Sequence, residues 1–384
     1  MYRYGISQRN VQHRHCIELV LGETRVVDIK DGANYAPTSE TRKVVADGEF
    51  CFAAAYLDHG HIYGQTNGLR DAGATLKYVY DPNPERLQKF VATYPEARIT
   101  ADFDQILADP EIKLVTAAAI PGHRADIGMQ VLEAGKDYFT DKAPFTSVTQ
   151  LEATKQICER TGQKYAVYYA ERLHNDAAWR AGELIESGVI GRVLQVLNLA
   201  PHRLAKASRP DWFFDKSRYG GILTDIGSHQ VEQFLTYAGC GDANVNFARV
   251  ENFGHPDVPG LEDFGEMSLT GDNGASFYCR VDWYTPEGLR TWGDGRTFIV
   301  GSEGTLEIRK YLDIARDAPA SRLFLVDANG EQEIECLDKT GFPFFGQLIL
   351  DSLNRTENAM SQRHAFKAAE VSMLAQEYAD LAHQ

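Results

Sequence analysis

Phe50-Cys51-Phe52-Ala53-Ala54-Ala55-Tyr56, continued by Leu57-Asp58-His59-Gly60-His61 and then Ile62-Tyr63-Gly64, is the stretch that decides the fold. Its first seven residues are an apolar run of the length of a buried strand. A polar turn follows, and a helical stretch continues to Arg70. The same unit returns downstream. Residues 76–80 are a second apolar run, closed by Asp81, and residues 84–94 read as a helix with Pro84 in its first turn. Residues 113–120 are a third buried-strand run, leading to a helix over 123–134, and residues 137–140 are a fourth. Apolar strands alternating with helices predict a parallel sheet covered on both faces. Ligands of such sheets sit at the carboxyl ends of the strands. The turns after Tyr56, Tyr80, Ile120 and Thr140 lie there.

Outward from this region the rhythm differs on both sides. Residues 1–47 hold two strand-like pieces, 16–21 and 25–29, and then a polar stretch through Ala36-Pro37-Thr38-Ser39. A lone hairpin of that size is marginal in water, so this leader is expected to act as an arm docked on the main body or on a neighbouring subunit. After about residue 192, strand-like runs are joined by Gly271-Asp272-Asn273-Gly274, Gly301-Ser302-Glu303-Gly304 and Asp327-Ala328-Asn329-Gly330. Two of these contain Asn-Gly, a strong hairpin signal, so this half reads as a largely antiparallel sheet. Its expected helices cover 175–187, the segment carrying Asp225 and His229, and the stretch from Gln362.

With 384 residues the chain is too long for one ordinary core, and two main domains are expected. Hydrophobic residues at 43% and charged residues at 24% are ordinary for a water-soluble globular protein. No apolar run reaches the ~18 residues of a membrane span. The first residues lack the apolar core of a signal peptide, so a cytoplasmic location is expected. The six cysteines, Cys16, Cys51, Cys158, Cys240, Cys279 and Cys336, are scattered and read as buried thiols, not as a disulfide framework or zinc site. A net charge of −15 argues against nucleic acid or an anionic membrane as partner.

Three places carry chemistry. The first is the turn after Tyr56, where a dinucleotide fingerprint would place glycines to let the backbone approach the pyrophosphate at a helix N-terminus. Here Asp58, His59, Gly60, His61 and Ile62 occupy it, and only Gly60 is well placed. His59 and His61 form an H-x-H without an identifiable third ligand, so no metal is expected. Asp81, at the end of the next strand, suits the ribose hydroxyls of NAD and would repel the extra phosphate of NADP. An N-cap role on the following helix is its bland alternative. Pro121 and His123, in the turn after Ile120, are further expected cofactor contacts, with a helix cap as the alternative for His123.

The second place is Asp141-Lys142-Ala143-Pro144, where a lysine at a strand's carboxyl end points into the same crevice. The third is Gly220-Gly221-Ile222-Leu223-Thr224-Asp225-Ile226-Gly227-Ser228-His229. A helix through it sets Asp225 and His229 on one face, four residues apart, looking outward, while Ile222, Leu223, Ile226 and Phe234 turn inward. Histidine is the usual group for proton transfer near neutral pH.

These motifs resemble the glucose-fructose oxidoreductase/inositol dehydrogenase/rhizopine-catabolism (Gfo/Idh/MocA) family. Asp141 to Pro144 is similar to its E-K-P motif, with Asp for Glu and an inserted Ala. Gly220 to His229 is similar to its G-G-x-x-x-D-x-G-x-H motif, and Glu186 to Val193 to the connection into its large sheet. The first loop departs from the family's glycine-rich sequence. The resemblance implies an α/β protein with a Rossmann dinucleotide-binding domain over residues 48–170. An α+β domain with a large, mostly antiparallel open sheet would follow over 171–384, for substrate binding and oligomerisation. It implies NAD, less readily NADP, a sugar or polyol substrate, and catalytic roles for Lys142, Asp225 and His229, with Lys142 also beside the cofactor. Arg172, His202 and Trp212 are the expected substrate contacts, whereas Trp283, Trp292 and Tyr284 read as core or interface. A net dehydrogenase is the leading expectation. An NAD-dependent glycosidase working by transient oxidation, elimination, water addition and re-reduction is the alternative, and a non-catalytic dinucleotide-binding regulator is a third. A homodimer or homotetramer is expected from a broad sheet with one apolar face.

Overall fold

The computed structural model describes residue 37 and residues 41–316 and 321–382. The strand-like pieces expected over 16–21 and 25–29 lie outside the described residues.

The quoted stretch forms strand β1 (Cys51–Ala55), fully buried, and helix α1 (His61–Asp71). The alternation then continues as β2 (Thr75–Tyr80), α2 (Pro84–Thr93), β3 (Arg98–Ile99), α3 (Phe103–Ala108), β4 (Ile112–Ala117), α4 (Arg124–Glu133), β5 (Asp137–Asp141), α5 (Val148–Thr161) and β6 (Tyr165–Tyr168). The strands pair in parallel in the order β3-β2-β1-β4-β5-β6, so the direction of strand addition reverses between β1 and β4. A crevice opens at such a reversal. β1 sits at the centre with small alanines, which lets α1 pack close. A Cβ on Gly68 of α1 would lie 2.3 Å from the Phe345 ring. The sequence did not announce β3 and α3. β3 is two exposed residues long, too short for a periodic signal.

Beyond β6 come α6 (Ala170–Leu173), α7 (Asp176–Glu186) and β7 (Val193–Pro201), then α8 (Lys216–Tyr219) and α9 (Ile222–Ala238). The remaining strands are β8 (Ala243–Glu251), β9 (Phe264–Gly271), β10 (Ser276–Asp282), β11 (Arg296–Gly301), β12 (Gly304–Arg309), β13 (Arg322–Asp327) and β14 (Gly330–Glu335). Two helices follow, α10 (Pro343–Asn354) and α11 (Gln362–Ala382). The sheet order is β14-β13-β12-β11-β7-β10-β9-β8, antiparallel except between β7 and β10. The three glycine-containing turns close the hairpins β9–β10, β11–β12 and β13–β14. Gly274 and Gly330 supply the positive φ that two of them need.

Helix α10 was not anticipated. Phe344, Phe345, Leu348 and Ile349 are buried, but Leu350 and Leu353 are exposed, which blurs the apolar stripe. Helix α9 corrects a second expectation. Its residues are buried almost all round, so Asp225 and His229 do not look out to solvent. They face a cavity enclosed by the two sheets and their loops. Among the described residues no helix is long and apolar enough to cross a membrane.

Candidate active site

Lys142 leaves the carboxyl end of β5, and Asp225 and His229 sit on the first two turns of α9. Gly220 and Gly221 aim that helix, with φ of 88° and 92°. A Cβ on Gly221 would lie 2.3 Å from Gln376, whose Oε1 accepts the Leu223 N–H at 2.9 Å. The helix start is thereby tied to α11. Arg124 donates to the Lys142 carbonyl, and the Lys142–Ala143 peptide is cis. Lys142 Nζ lies 2.6 Å from Asp225 Oδ1. Burial works against the Asp225 charge, but the Lys142 ammonium and its hydrogen bond outweigh it and hold the carboxyl below its ordinary value.

His229 is 2% exposed, and its Nδ1 has no hydrogen-bond partner among the described residues. Burial pushes its pKa down to about 3, with Glu171 opposing and Lys142 and His61 reinforcing. The ring is therefore neutral at pH 7.

These three side chains line a cavity together with His59, His61, Glu171 and His202. Glu171 Oε2 accepts from Lys310 Nζ at 2.8 Å and Gln230 Nε2 at 3.0 Å. Its Oε1 has no hydrogen-bond partner among the described residues and lies 3.6 Å from His202 Nε2. Burial disfavours the Glu171 charge, yet Lys310, then His229 and His202, hold it well below the usual carboxylate range. The far wall is aromatic. Trp292 and Trp283 flank His202 at ring separations of 4.5 and 5.5 Å, and Arg209 stacks on Phe213 and Trp283 at 4.6 and 5.2 Å.

Two expected substrate contacts are not brought here. Arg172 turns into the protein and pairs with buried Glu232, its Nε 2.8 Å from Oε1, because a guanidinium so placed needs a carboxylate more than it needs solvent. Trp212 is buried against Phe213 at 5.9 Å and does not line the cavity. Trp283 and Trp292, expected in the core or at an interface, are buried, and they also line the cavity. They follow β10 and precede β11, so no local spacing connects them to α9.

The loop after β1 makes its bend at Tyr56, whose φ of 53° is unusual for a side chain of that size. Its ring is pinned edge-on against Tyr80 and Phe103 at 5.5 and 5.1 Å. The Tyr56 carbonyl and the His59 N–H bond to Ala118 at 3.1 and 2.9 Å, stitching the loop to the chain leaving β4. Gly60 caps α1, and buried Ile62 follows in its first turn. His59 and His61 turn toward Asp141 and the cavity. Asp81 does end β2, but its carboxylate accepts from the Leu57 N–H at 2.6 Å, the Asn83 N–H at 2.7 Å and Arg86 Nε at 3.0 Å. The N-cap of α2 is Asn83, which replaces the capping alternative for Asp81. Arg86 Nη2 also reaches Asp58 at 3.2 Å. Burial pushes the Asp58 carboxyl up, with Arg86 opposing. Pro121 is buried in a short 3₁₀ turn after β4. His123 is exposed there, and its side chain makes no cap on α4.

A dinucleotide fits this crevice in its chemistry: a carboxylate stands at the end of β2, a helix N-terminus at the reversal, and Lys142 at the end of β5. The loop between them lacks the usual glycines and bends on Tyr56 instead.

The sequence matches the model of an oxidoreductase family with an NAD-binding Rossmann fold over residues 56–169, and that of the GFO/IDH/MocA C-terminal domain over residues 179–307. It is similar to the crystal structure of an oxidoreductase from Erwinia carotovora atroseptica, with 46% identity, 86% of this chain and 99% of that one covered, and a TM-score of 0.84. Levoglucosan dehydrogenase in complex with NADH and levoglucosan shares the fold, at 19% identity and a TM-score of 0.71 over 86% of this chain and 97% of that one. D-xylose dehydrogenase of Paenarthrobacter nicotinovorans is 23% identical over 44% of this chain and 47% of its own. The chain spans 40% to 47% of the length of the first curated relatives it matches.

Proposed function

The chain belongs to the Gfo/Idh/MocA family of oxidoreductases, and on that footing we propose that it is an NAD-dependent dehydrogenase of a sugar or polyol. The observation that carries the proposal is the meeting of Lys142, Asp225 and His229 in one cavity beside the dinucleotide crevice, with Lys142 Nζ 2.6 Å from Asp225 Oδ1.

The chemistry a bound nicotinamide dinucleotide supplies is acceptance of a hydride. The residues of this chain manage the rest. His229, neutral and buried, takes the proton of the hydroxyl on the carbon that is oxidised. Lys142 donates a hydrogen bond to the same oxygen and stabilises the negative charge that grows there. Asp225 holds the Lys142 ammonium in place. The field of Glu171 favours the protonated His229 ring once the proton has moved. Trp283 and Trp292 offer an apolar wall for the ring face of a sugar, and His202 a polar contact beside it.

Asp81 supports NAD over NADP, with Arg86 moderating the preference because it neutralises the same carboxylate. We place the dinucleotide on the part of the chain before about residue 170 and the substrate in the cavity between that part and the rest. We also propose self-association through the outer face of the second sheet, where Phe298, Val300 and Val326 are exposed. Incubation with NAD and a panel of monosaccharides, polyols and aryl glycosides tests the activity. NADH accumulating without cleavage supports the dehydrogenase, whereas aglycone released without net NADH moves the assignment to the redox-neutral glycosidase.

A further inference from the structure

Two imidazoles close on one carboxylate at the edge of the cavity. His59 Nδ1 lies 3.2 Å from Asp141 Oδ2, and His61 Nδ1 lies 2.8 Å from Asp141 Oδ1. Asp141 is wholly buried at the end of β5, where Arg124 Nη2 at 3.0 Å and the Lys142 N–H at 2.8 Å complete its surroundings. Burial disfavours its charge, but His61, Arg124 and His59 together hold the carboxyl well below the usual range. Asp141 is therefore an acceptor at both oxygens.

The ring nitrogen of His59 that faces this anion carries a proton. The His61 backbone N–H is 3.3 Å from the same Nδ1. A bare Nδ1 would accept it, but would also set a lone pair 3.2 Å from an anionic oxygen, so the charged acceptor decides the tautomer. Burial, with His61 reinforcing and Asp141 opposing, pushes the His59 pKa down to about 4, so the ring is neutral at pH 7. A neutral imidazole protonated at Nδ1 has a bare Nε2. No described residue bonds that nitrogen, and His59 lines the cavity with Lys142, Asp225 and His229. The proton transfer described above does not use this acceptor.

We propose that His59 is a substrate-binding residue whose Nε2 accepts a hydrogen bond from a second hydroxyl of the substrate, one that is not oxidised, with Asp141 as the positioning residue that fixes its tautomer. The inference rests on the dehydrogenase reading. It makes the enzyme a diol-reading one: the analogue lacking that single hydroxyl leaves a buried acceptor unpaired and binds worse by roughly tenfold to a hundredfold. His59, His61 and Asp141 also form the cluster a cation would choose, their ligand atoms lying within 4.8 Å of one another. Arg124 already takes the charge of Asp141, and a divalent ion would have to sit beside that guanidinium.

The test compares the wild-type protein with His59→Asn, which keeps a polar group toward Asp141 and offers none at the Nε2 position, and with His59→Gln, which reaches that position. Polyol affinity is read from tryptophan fluorescence, since Trp283 and Trp292 line the cavity, and NAD affinity from calorimetry, so neither needs turnover. His59→Asn is expected to raise the polyol Kd and KM by roughly ten- to a hundredfold, leave NAD affinity unchanged and lose the penalty for the deoxy analogue. His59→Gln is expected to recover most of the loss. Unchanged polyol affinity in His59→Asn overturns the assignment. So does a loss of NAD affinity with polyol affinity kept, which gives the acceptor to the cofactor, or activity that a chelator abolishes and zinc restores. If His59→Asn does not fold, the deoxy series on the wild type and on His59→Gln decides, and no deoxy analogue weaker than its parent overturns the proposal. A wild-type protein that neither binds nor oxidises any sugar or polyol ends the dehydrogenase reading, and this inference with it. Binding kept equally by wild type and His59→Asn ends this inference alone.

Discussion

His229 is an imidazole kept deprotonated by its surroundings, and Lys142 is held against Asp225. On the proposed mechanism, replacing either removes a group that touches the reacting oxygen. Lys142→Ala and His229→Ala are each expected to lower kcat by about a hundredfold or more while thermal melting stays cooperative. Near wild-type rates in both would end their catalytic assignment. On the same proposal, Asp81 and Arg86 set the choice of cofactor. Calorimetry is expected to give tighter binding of NAD than of NADP, and Arg86→Ala, which uncovers the Asp81 charge, is expected to widen the gap by roughly tenfold. Equal or tighter NADP binding by the wild type would contradict the role given to Asp81. At this scale the sequence disclosed the residues whose motif spacing is local, namely Lys142, Asp225 and His229. It misdirected Arg172, whose partner Glu232 is met only once α6 and α9 have packed together, and Trp212, which packs on its chain neighbour Phe213 and does not line the cavity. Trp283 and Trp292 carry no local signal of a site, because the cavity takes them from the chain between β10 and β11.

Helix α9 joins the two sheets chemically, and its starting point is fixed by backbone geometry. Gly221→Ala forces a side chain to φ of 92° and against Gln376. The expected cost is about 2–3 kcal/mol of stability, with turnover reduced because Asp225 and His229 move together. A melting temperature and rate equal to wild type would contradict this account of the helix start. The strand–helix alternation and the Asn-Gly hairpins were legible because their signals are periodic or local. β3 is too short for a period, and the exposed Leu350 and Leu353 of α10 hide one. The near-complete burial of α9 follows from what packs on it, α11 on one side and the second sheet on another, which its own sequence does not state.

Taken together, the buried histidines set the acid limit of the molecule. His59 and His202 are pushed down to about 4, and His174 and His229 to about 3, chiefly by burial. Unfolded, each would take a proton near its ordinary value of ~6.5. Below that pH the unfolded chain binds more protons than the folded one, so stability is complete above it and falls as pH drops toward 4. The depressed carboxylates Asp141, Glu171 and Glu232 add their own loss only at lower pH. The melting temperature is expected to fall steadily between about pH 6.5 and 4.5, and a flat profile there would contradict neutral burial of these rings. On the outside, Phe298→Asp with Val300→Asp is expected to shift a dimer or tetramer toward monomer in light scattering. The fold sets the crevice at the strand reversal beside a cavity lined by neutral histidines and a carboxylate-held lysine, and the proposed function stands or falls on what happens there. The most direct measurement is NADH formation by the wild-type protein and by His229→Ala across sugars and polyols. NADH is expected to accumulate with at least one of them and to be lost in the variant; no NADH with any, or equal rates in both proteins, would overturn the proposed function.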